Sequence, residues 1–433
     1  MKYFNKTILA VAVTLASSQA MAAGFQLNSQ SATGIGRAFA GDAVIADNAS
    51  VLSRNPAAMA MFDKKSLSVG VAYADLDVNI SDVTGIGGTV NYGDVEGAAE
   101  SKIIPNFYYI QPINDSWAFG VAGFSNFGTG TDLTDIANNP ATTAPVDLLG
   151  NTEIVTMNFN ASLSYRFNEH FSIGAGVDII YGEGKLSRKG NLPVGPGNSM
   201  IPVPLVDVDA DGIAFGGIVG AVYEFNADNR LGMSYRYSPE FNASGDVNRM
   251  LPLNPATPTV LTTVPFDEIN IPMPDIFQVA GFHQLNDKFA LHYTAQLTTW
   301  GDFDEITLSD GQSGNVTISN NSLKQYQWDD SWLFSVGGTY TINEQWKVRA
   351  GYMHDQGVVD ELSSLSIPDS DRNWYTAGTS YNLSSQTTID MGIAFVRGED
   401  VHVTETSTVL KSNVTASTRS DAIYYSVQYN YQF

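Results

Sequence analysis

Period-two alternation at the C-terminal end constrains this chain more than any other feature of its sequence. Ile423, Tyr425, Val427, Tyr429, Tyr431 and Phe433 fall on one face, and Tyr424, Ser426, Gln428, Asn430 and Gln432 on the other. Successive side chains of a strand point to opposite faces, so one face here is apolar and largely aromatic. These eleven residues match the length of a tilted membrane-crossing strand, about 9–11 residues. A soluble edge strand with so many exposed aromatics would aggregate. Nothing after the N-terminus supplies the ~20 consecutive apolar residues of a transmembrane helix. An open sheet in lipid would leave unpaired backbone groups at several kcal/mol each, so such strands must close into a barrel.

The turns give the strand number. A short polar motif between apolar or aromatic residues recurs as Ile113-Asn114-Asp115-Ser116-Trp117, Phe167-Asn168-Glu169-His170-Phe171 and Phe225-Asn226-Ala227-Asp228-Asn229-Arg230-Leu231. It continues as Leu285-Asn286-Asp287-Lys288-Phe289, Ile342-Asn343-Glu344-Gln345-Trp346 and, more loosely, Leu383-Ser384-Ser385-Gln386-Thr387. Asn, Asp and Ser favour tight turns because their side chains bond the local backbone. The flanking aromatics suit a membrane-interface girdle. Six short turns on one side join seven hairpins, which predicts an all-β, 14-stranded antiparallel transmembrane barrel. In outer-membrane barrels the short-turn side is periplasmic.

Lys2 and Lys6, an apolar stretch over residues 8–16 and Ala20-Met21-Ala22 read as a secretory signal peptide over 1–22. The chain carries 15% charged residues and a net charge of −23. Such a chain is poor in the basic patches that nucleic acid requires. With no Cys and five scattered His (170, 283, 292, 354 and 402), no metal set, thiol nucleophile or cofactor is expected. A chain-terminal Phe on an alternating strand resembles the signal read by the barrel assembly machinery.

Residues 23–64 do not alternate and read as a plug, or hatch, for the lumen of a barrel over 65–433. Asn55 fits a helix N-cap and Pro56 the first helical position. A large barrel leaves an aqueous lumen unless something fills it.

The chain resembles the outer-membrane long-chain fatty acid transporters of the FadL type over nearly its whole mature length. The carrying stretches are Ala23-Gly24-Phe25-Gln26-Leu27-Asn28, Ser53-Arg54-Asn55-Pro56-Ala57, Pro112-Ile113-Asn114-Asp115, Ser125-Asn126-Phe127-Gly128 and Ile367-Pro368-Asp369-Ser370-Asp371-Arg372. The resemblance implies fourteen strands, an N-terminal hatch, and a kinked third strand opening a lateral exit into the membrane of a Gram-negative bacterium. Ser125, Asn126, Phe127 and Gly128 interrupt alternation there, where Gly and Asn accommodate a kink. Phe25 and the Asn55, Pro56 and Ala57 turn are expected to move with the hatch as a gate.

Two outer loops, about 129–151 and 186–212, hold unusually many apolar residues: Leu133, Ile136, Val146, Leu148 and Leu149 in the first, and Leu192, Val194, Met200, Ile201, Val203, Leu205 and Val206 in the second. Clustered exposed apolar residues mark binding surfaces, and the bland alternative is that the loops pack together as a cap. The resemblance implies an apolar capture groove between these loops and a buried basic cluster for the carboxylate, matched by Lys185 and Arg188. Pairing of these two with acidic loop residues or lipopolysaccharide phosphates is the competing reading. Where relatives place a Lys, this chain has Asp329-Asp330, so either Lys324 substitutes from a shifted position or the headgroup is held differently.

Other motifs carry less. Asn55-Pro56-Ala57 matches the aquaporin triplet, but without transmembrane half-helices. Gly34-Ile35-Gly36 is too short for a dinucleotide loop. Asp207-Val208-Asp209-Ala210-Asp211-Gly212 starts like a calcium loop, yet its twelfth position is Ile218. No His has a persuasive Ser partner for phospholipase chemistry. The expectation is a passive, non-enzymatic transporter of long-chain fatty acids in contact with outer-membrane lipid and lipopolysaccharide. Aromatic hydrocarbons are the close alternative and a general porin the remoter one.

Overall fold

The computed structural model describes residues 24–137, 145–194, 199–253, 261–359, 364–408 and 411–433, so the signal-peptide reading of 1–22 lies outside the described residues. One antiparallel sheet of 21 strands closes on itself. Five of its staves are split in two and two short strands, Val90–Val95 and Val401–Ser407, belong to outer hairpins, which leaves fourteen staves. In order they are Ser66–Gly85, Lys102–Pro112, a third in two pieces (Trp117–Phe124 and Gly128–Asp132), Asn151–Arg166, Phe171–Val194 and Ser199–Asn226. The next four are all split: Asn229–Tyr237 with Phe241–Leu251, Thr262–Ile271 with Ile276–Gln284, Phe289–Thr298 with Glu305–Ser313, and Val316–Gln325 with Ser331–Thr341. Trp346–Asp355, Arg372–Asn382, Thr387–Gly398 and Ser412–Gln432 complete the wall. The last stave pairs with the first, from Ser66 opposite Gln432 to Gly85 opposite Val414. This seam leaves no free edge where the first and last staves meet.

The alternation carries through to burial. On the last stave Tyr425, Val427, Tyr429 and Phe433 are exposed to the outside, whereas Tyr424, Gln428 and Asn430 are buried in the lumen. All six short turns lie between consecutive staves, and five share one device. The side-chain oxygen of Asn114, Asn168, Asn286 or Asn343 accepts from the two backbone N–H groups that end the turn, and Ser384 does the same in the looser copy. Aromatics crowd this rim, with Trp117 on Tyr165 at 4.7 Å and Trp346 on Tyr381 at 4.5 Å between ring centroids. A tag in the Asn286–Asp287 turn should therefore be inaccessible on intact cells and one at Gly195 labelled. Surface labelling of the first tag would invert the barrel.

The outer end departs from expectation. Much of 186–212 is not loop: the staves Phe171–Val194 and Ser199–Asn226 run on as a long hairpin, with one register shift between Arg188 and Lys189. The calcium-loop reading goes with it. Asp207, Asp209 and Asp211 lie in extended backbone, exposed on one face, and cannot wrap an ion. Among the described residues no acidic or His group is arranged to hold a metal.

Inside the barrel, residues 24–62 form the hatch: a helix α1 (Ala32–Gly36) and two 3-10 turns, Ala49–Ser53 and Pro56–Met61. Asn55 caps the last of these by accepting from the Ala57 N–H at 3.0 Å, with Pro56 at the first position.

Candidate functional site

Three breaks in the wall build the interior site. The third stave leaves its ladder at 125–127, the ninth at 299–304 and the tenth at 326–330. Released from alternation, these segments turn large rings inward. Phe127, Trp300, Phe303, Tyr326 and Trp328 are all at most 3% exposed, and Phe25 of the hatch sits among them fully buried. Phe25 meets Trp300 at 4.7 Å, Phe303 at 5.4 Å, Trp328 at 5.9 Å and Phe127 at 6.0 Å. Edge-to-face pairs of this kind contribute about 0.5–1.5 kcal/mol each beyond area burial. Sequence reading found Phe25 and Phe127 but missed the two Trp, Phe303 and Tyr326. The available signal was the loss of alternation in Thr299-Trp300-Gly301-Asp302-Phe303 and Tyr326-Gln327-Trp328.

A cationic flank adjoins the rings. Arg188 is 3% exposed. Its guanidinium donates to the Asn151 carbonyl at 2.8 Å, the Ser187 carbonyl at 3.0 Å and the Thr152 hydroxyl at 2.8 Å. No carboxylate among the described residues lies within 4.0 Å of it; Tyr326, Glu405 and Asp147 act on it from further off. Lys324 bonds Glu405 at 2.6 Å and the Ser366 hydroxyl at 2.7 Å, with its ammonium 5.4 Å from the Tyr326 ring centre. Its charge is thus answered by Glu405. Lys185 does not join them. It is half exposed on the opposite face of its strand and pairs with Glu183 at 2.7 Å.

The apolar residues of the two outer segments are covered. Leu133, Ile136, Val146, Leu148 and Leu149 are buried, as are Val203, Leu205 and Val206, and all pack in one apolar cluster with Phe25. The outer segments thus fold over the lumen and contribute to its lining. The side chains of Leu192, Val194, Met200 and Ile201 lie outside the described residues.

The third-stave break also opens the wall. The second stave pairs with the third only from Phe107 opposite Gly123 to Pro112 opposite Ala118. The outer piece Gly128–Asp132 pairs with the fourth stave alone. Residues 102–106 and 128–132 thus face each other without a ladder. The hatch takes up the freed backbone of the kink: Leu27 N–H donates to the Asn126 carbonyl at 2.6 Å, and Gly128 N–H to the Phe25 carbonyl at 2.9 Å. Gln30 adds bonds to the Asn126 side chain at 2.6 Å and the Ser125 carbonyl at 3.2 Å.

Residues 13–433 match the family described as "Outer membrane protein transport protein (OMPP1/FadL/TodX)". The chain belongs to that family. A FadL-family relative, the long-chain fatty acid transport protein of Salmonella typhi, is 32% identical over 421 residues, covering 93% of this chain and 94% of its own. Among solved structures, a Pseudomonas aeruginosa FadL homologue superposes with a TM-score of 0.79 at 24% identity, covering 95% of this chain and 100% of its own. The Pseudomonas putida toluene transporter TodX gives 0.66 at 18% identity, over 89% and 94%. This FadL-type chain is thus an outer-membrane transporter of hydrophobic compounds and not an enzyme.

In this FadL-type barrel the hatch is held by charge and by close backbone approach. Arg37 pairs with Asp42 at 2.8 Å and Asp47 at 3.0 Å, Arg349 of the wall reaches Asp47 at 3.3 Å, and Arg54 lies 4.0 Å from Asp42. Arg236, bonded to Asp178 across the wall, donates to the Ser53 carbonyl at 2.7 Å. Burial opposes charge at Arg37 and Asp47 alike. The two aspartates nevertheless hold Arg37 above its ordinary pKa, and Arg37 and Arg349 hold Asp47 below the usual carboxylate range. The Asn55 amide donates to the carbonyls of Ala43, Ala221 and Met233 at 2.8, 3.1 and 3.2 Å. Gly174 admits the Pro56–Ala57 backbone so closely that a Cβ there would overlap it, and Gly220 does the same for the Asn55 side chain. The Asn55, Pro56 and Ala57 turn thus packs closely against the wall. The Phe25 segment alone sits at the kink.

Proposed function

We propose that this transporter carries long-chain fatty acids by passive diffusion, and the observation behind that choice is Arg188. A buried guanidinium with neutral acceptors and no carboxylate partner, beside a cluster of buried rings, suits a ligand with an acidic head and an apolar body. Arg presents a fork matched to a carboxylate, whereas the Lys324 charge is already answered by Glu405. An aromatic hydrocarbon would gain nothing from that fork. Each methylene moved from water into an apolar site contributes about 0.8 kcal/mol, so a long acyl chain gains on the order of 10 kcal/mol. That is ample for capture without an energy source. Lining by the folded-over outer segments leads the chain to the ring cluster, displacement of Phe25 frees the kink, and the gap beside Gly128–Asp132 delivers the ligand sideways into lipid.

Arg188→Ala should weaken oleate binding by about 1.5–3 kcal/mol, the worth of a hydrogen bond to a charged group, and leave oleyl alcohol binding nearly unchanged. Growth of a transporter-deleted bacterium on oleate should be rescued by the parent gene and poorly by this variant. Equal losses for acid and alcohol would remove Arg188 from the headgroup site. No rescue on oleate with faster uptake of xylene would move the substrate to aromatic hydrocarbons.

A further inference from the structure

The gap beside the kink has an outer mouth, a cleft of about 300 Å³ whose polar lining includes Glu96, Glu100, Lys102, Thr131, Asp132 and Glu153. Its rims are parts of the wall that the backbone ladder does not join. Two polar links cross it. Asp132 N–H donates to the Ala98 carbonyl at 2.8 Å. Lys102, only 12% exposed at its side chain, stands 3.3 Å from Glu100 on its own rim and 3.7 Å from Glu153 on the far one.

The faces involved make the second contact informative. On the second stave the even-numbered residues, Ile104, Asn106 and Tyr108, are buried inward, and Lys102 continues that row. On the fourth stave Thr152, Asn158 and Asn160 face the lumen, which puts Glu153 on the outward row. An inward lysine meeting an outward glutamate requires the second stave to lap over the outside of the fourth. The wall here overlaps, and Lys102 fastens the overlap.

We infer that Lys102, with Glu153, is a latch on lateral release: closed, it seals the outer lip of the exit; open, it lets the lap part and the ligand pass. This rests on the reading that ligand leaves at the third stave. Lys102 is a positioning residue, since it holds the rim and need not touch the transported molecule. An ion pair of 3.7 Å whose lysine is shared with Glu100 is weak, which suits a lip that must open often, and its loss should change the open fraction by about two- to fivefold.

The absence of Cys from the chain makes the test clean. In Lys102→Cys/Glu153→Cys, a short bis-methanethiosulfonate reagent applied to cells with the barrel already assembled should hold the lap shut. Accumulation of labelled oleate should then fall to that of cells lacking the gene, surface binding of oleate should persist, and reductant should restore uptake. Lys102→Met should raise initial uptake about two- to fivefold, and the charge exchange Lys102→Glu/Glu153→Lys should return it towards the parent rate. Unchanged uptake through a protein shown by mass to be crosslinked would overturn the latch. If the parent protein itself accumulates no oleate, the fatty-acid reading fails instead, and the same crosslinked variant assayed with xylene decides the latch.

Discussion

Replacing Asn126 and Gly128 with Val and Thr should abolish accumulation of oleate while leaving a correctly assembled barrel that still binds it. β-branched residues favour the pleated conformation, and both substitutions draw the third stave towards continuous pairing with the second. The backbone groups that now serve the hatch, the Asn126 carbonyl and the Gly128 N–H, would be recruited to the ladder. Residues 102–106 and 128–132 would then zip together, and the side opening would vanish. The ring cluster keeps four of its members on other staves, Trp300, Phe303, Tyr326 and Trp328, so binding should persist. Heat-modifiable gel mobility reports assembly independently of transport. Normal uptake through a demonstrably straightened strand would rule out exit at this position.

The second large effect is expected at Asn55. Its amide joins the hatch to itself and to two staves through three carbonyls, and its oxygen caps the following turn. Asn55→Ala removes all four bonds at a fully buried position. A buried polar group left without a partner costs about 1–3 kcal/mol, so the docking of the hatch should weaken by several kcal/mol. The wall, closed by its own ladder, should still assemble. In planar bilayers the variant should show steady ionic conductance where the parent is silent, and cells should become sensitive to small hydrophilic antibiotics. A silent variant would mean that the charged pairs around Arg37 and Asp47 suffice to keep the plug seated.

How much was legible in the sequence depended on how far regular alternation reached. Where it held, as in the last stave, the faces, the turns and the count of fourteen could be read without a structure. The Ser125 to Gly128 interruption was visible because it broke a strong pattern. The segments around Trp300 and Trp328 break alternation as well, but nothing local in them says that their rings turn inward; only the fold shows it. In the outer hairpin Pro193, Pro202 and Pro204 run against strand propensity. Beyond the bilayer, however, the ribbon stays paired through one register shift. Lys185 illustrates a rule at hand but not applied. It stands three residues from Arg188, an odd step, and period two puts an odd step on opposite faces. Residues distant in sequence were the least legible: nothing local links Lys324 to Ser366 and Glu405, or Lys102 to Glu153.

The pairing of charges inside the hatch has an electrical consequence. Residues 24–62 contain two arginines, Arg37 and Arg54, and two aspartates, Asp42 and Asp47, and no other ionised side chain. A membrane potential acts on net charge, at about 2.3 kcal/mol per elementary charge for each 100 mV crossed. The Donnan potential across an outer membrane swings with the salt outside the cell. It finds no handle on a plug whose charges cancel. Such a hatch would stay indifferent to osmotic weather, although the full sequence carries a net charge of −23, and would leave the command to open to the arriving molecule.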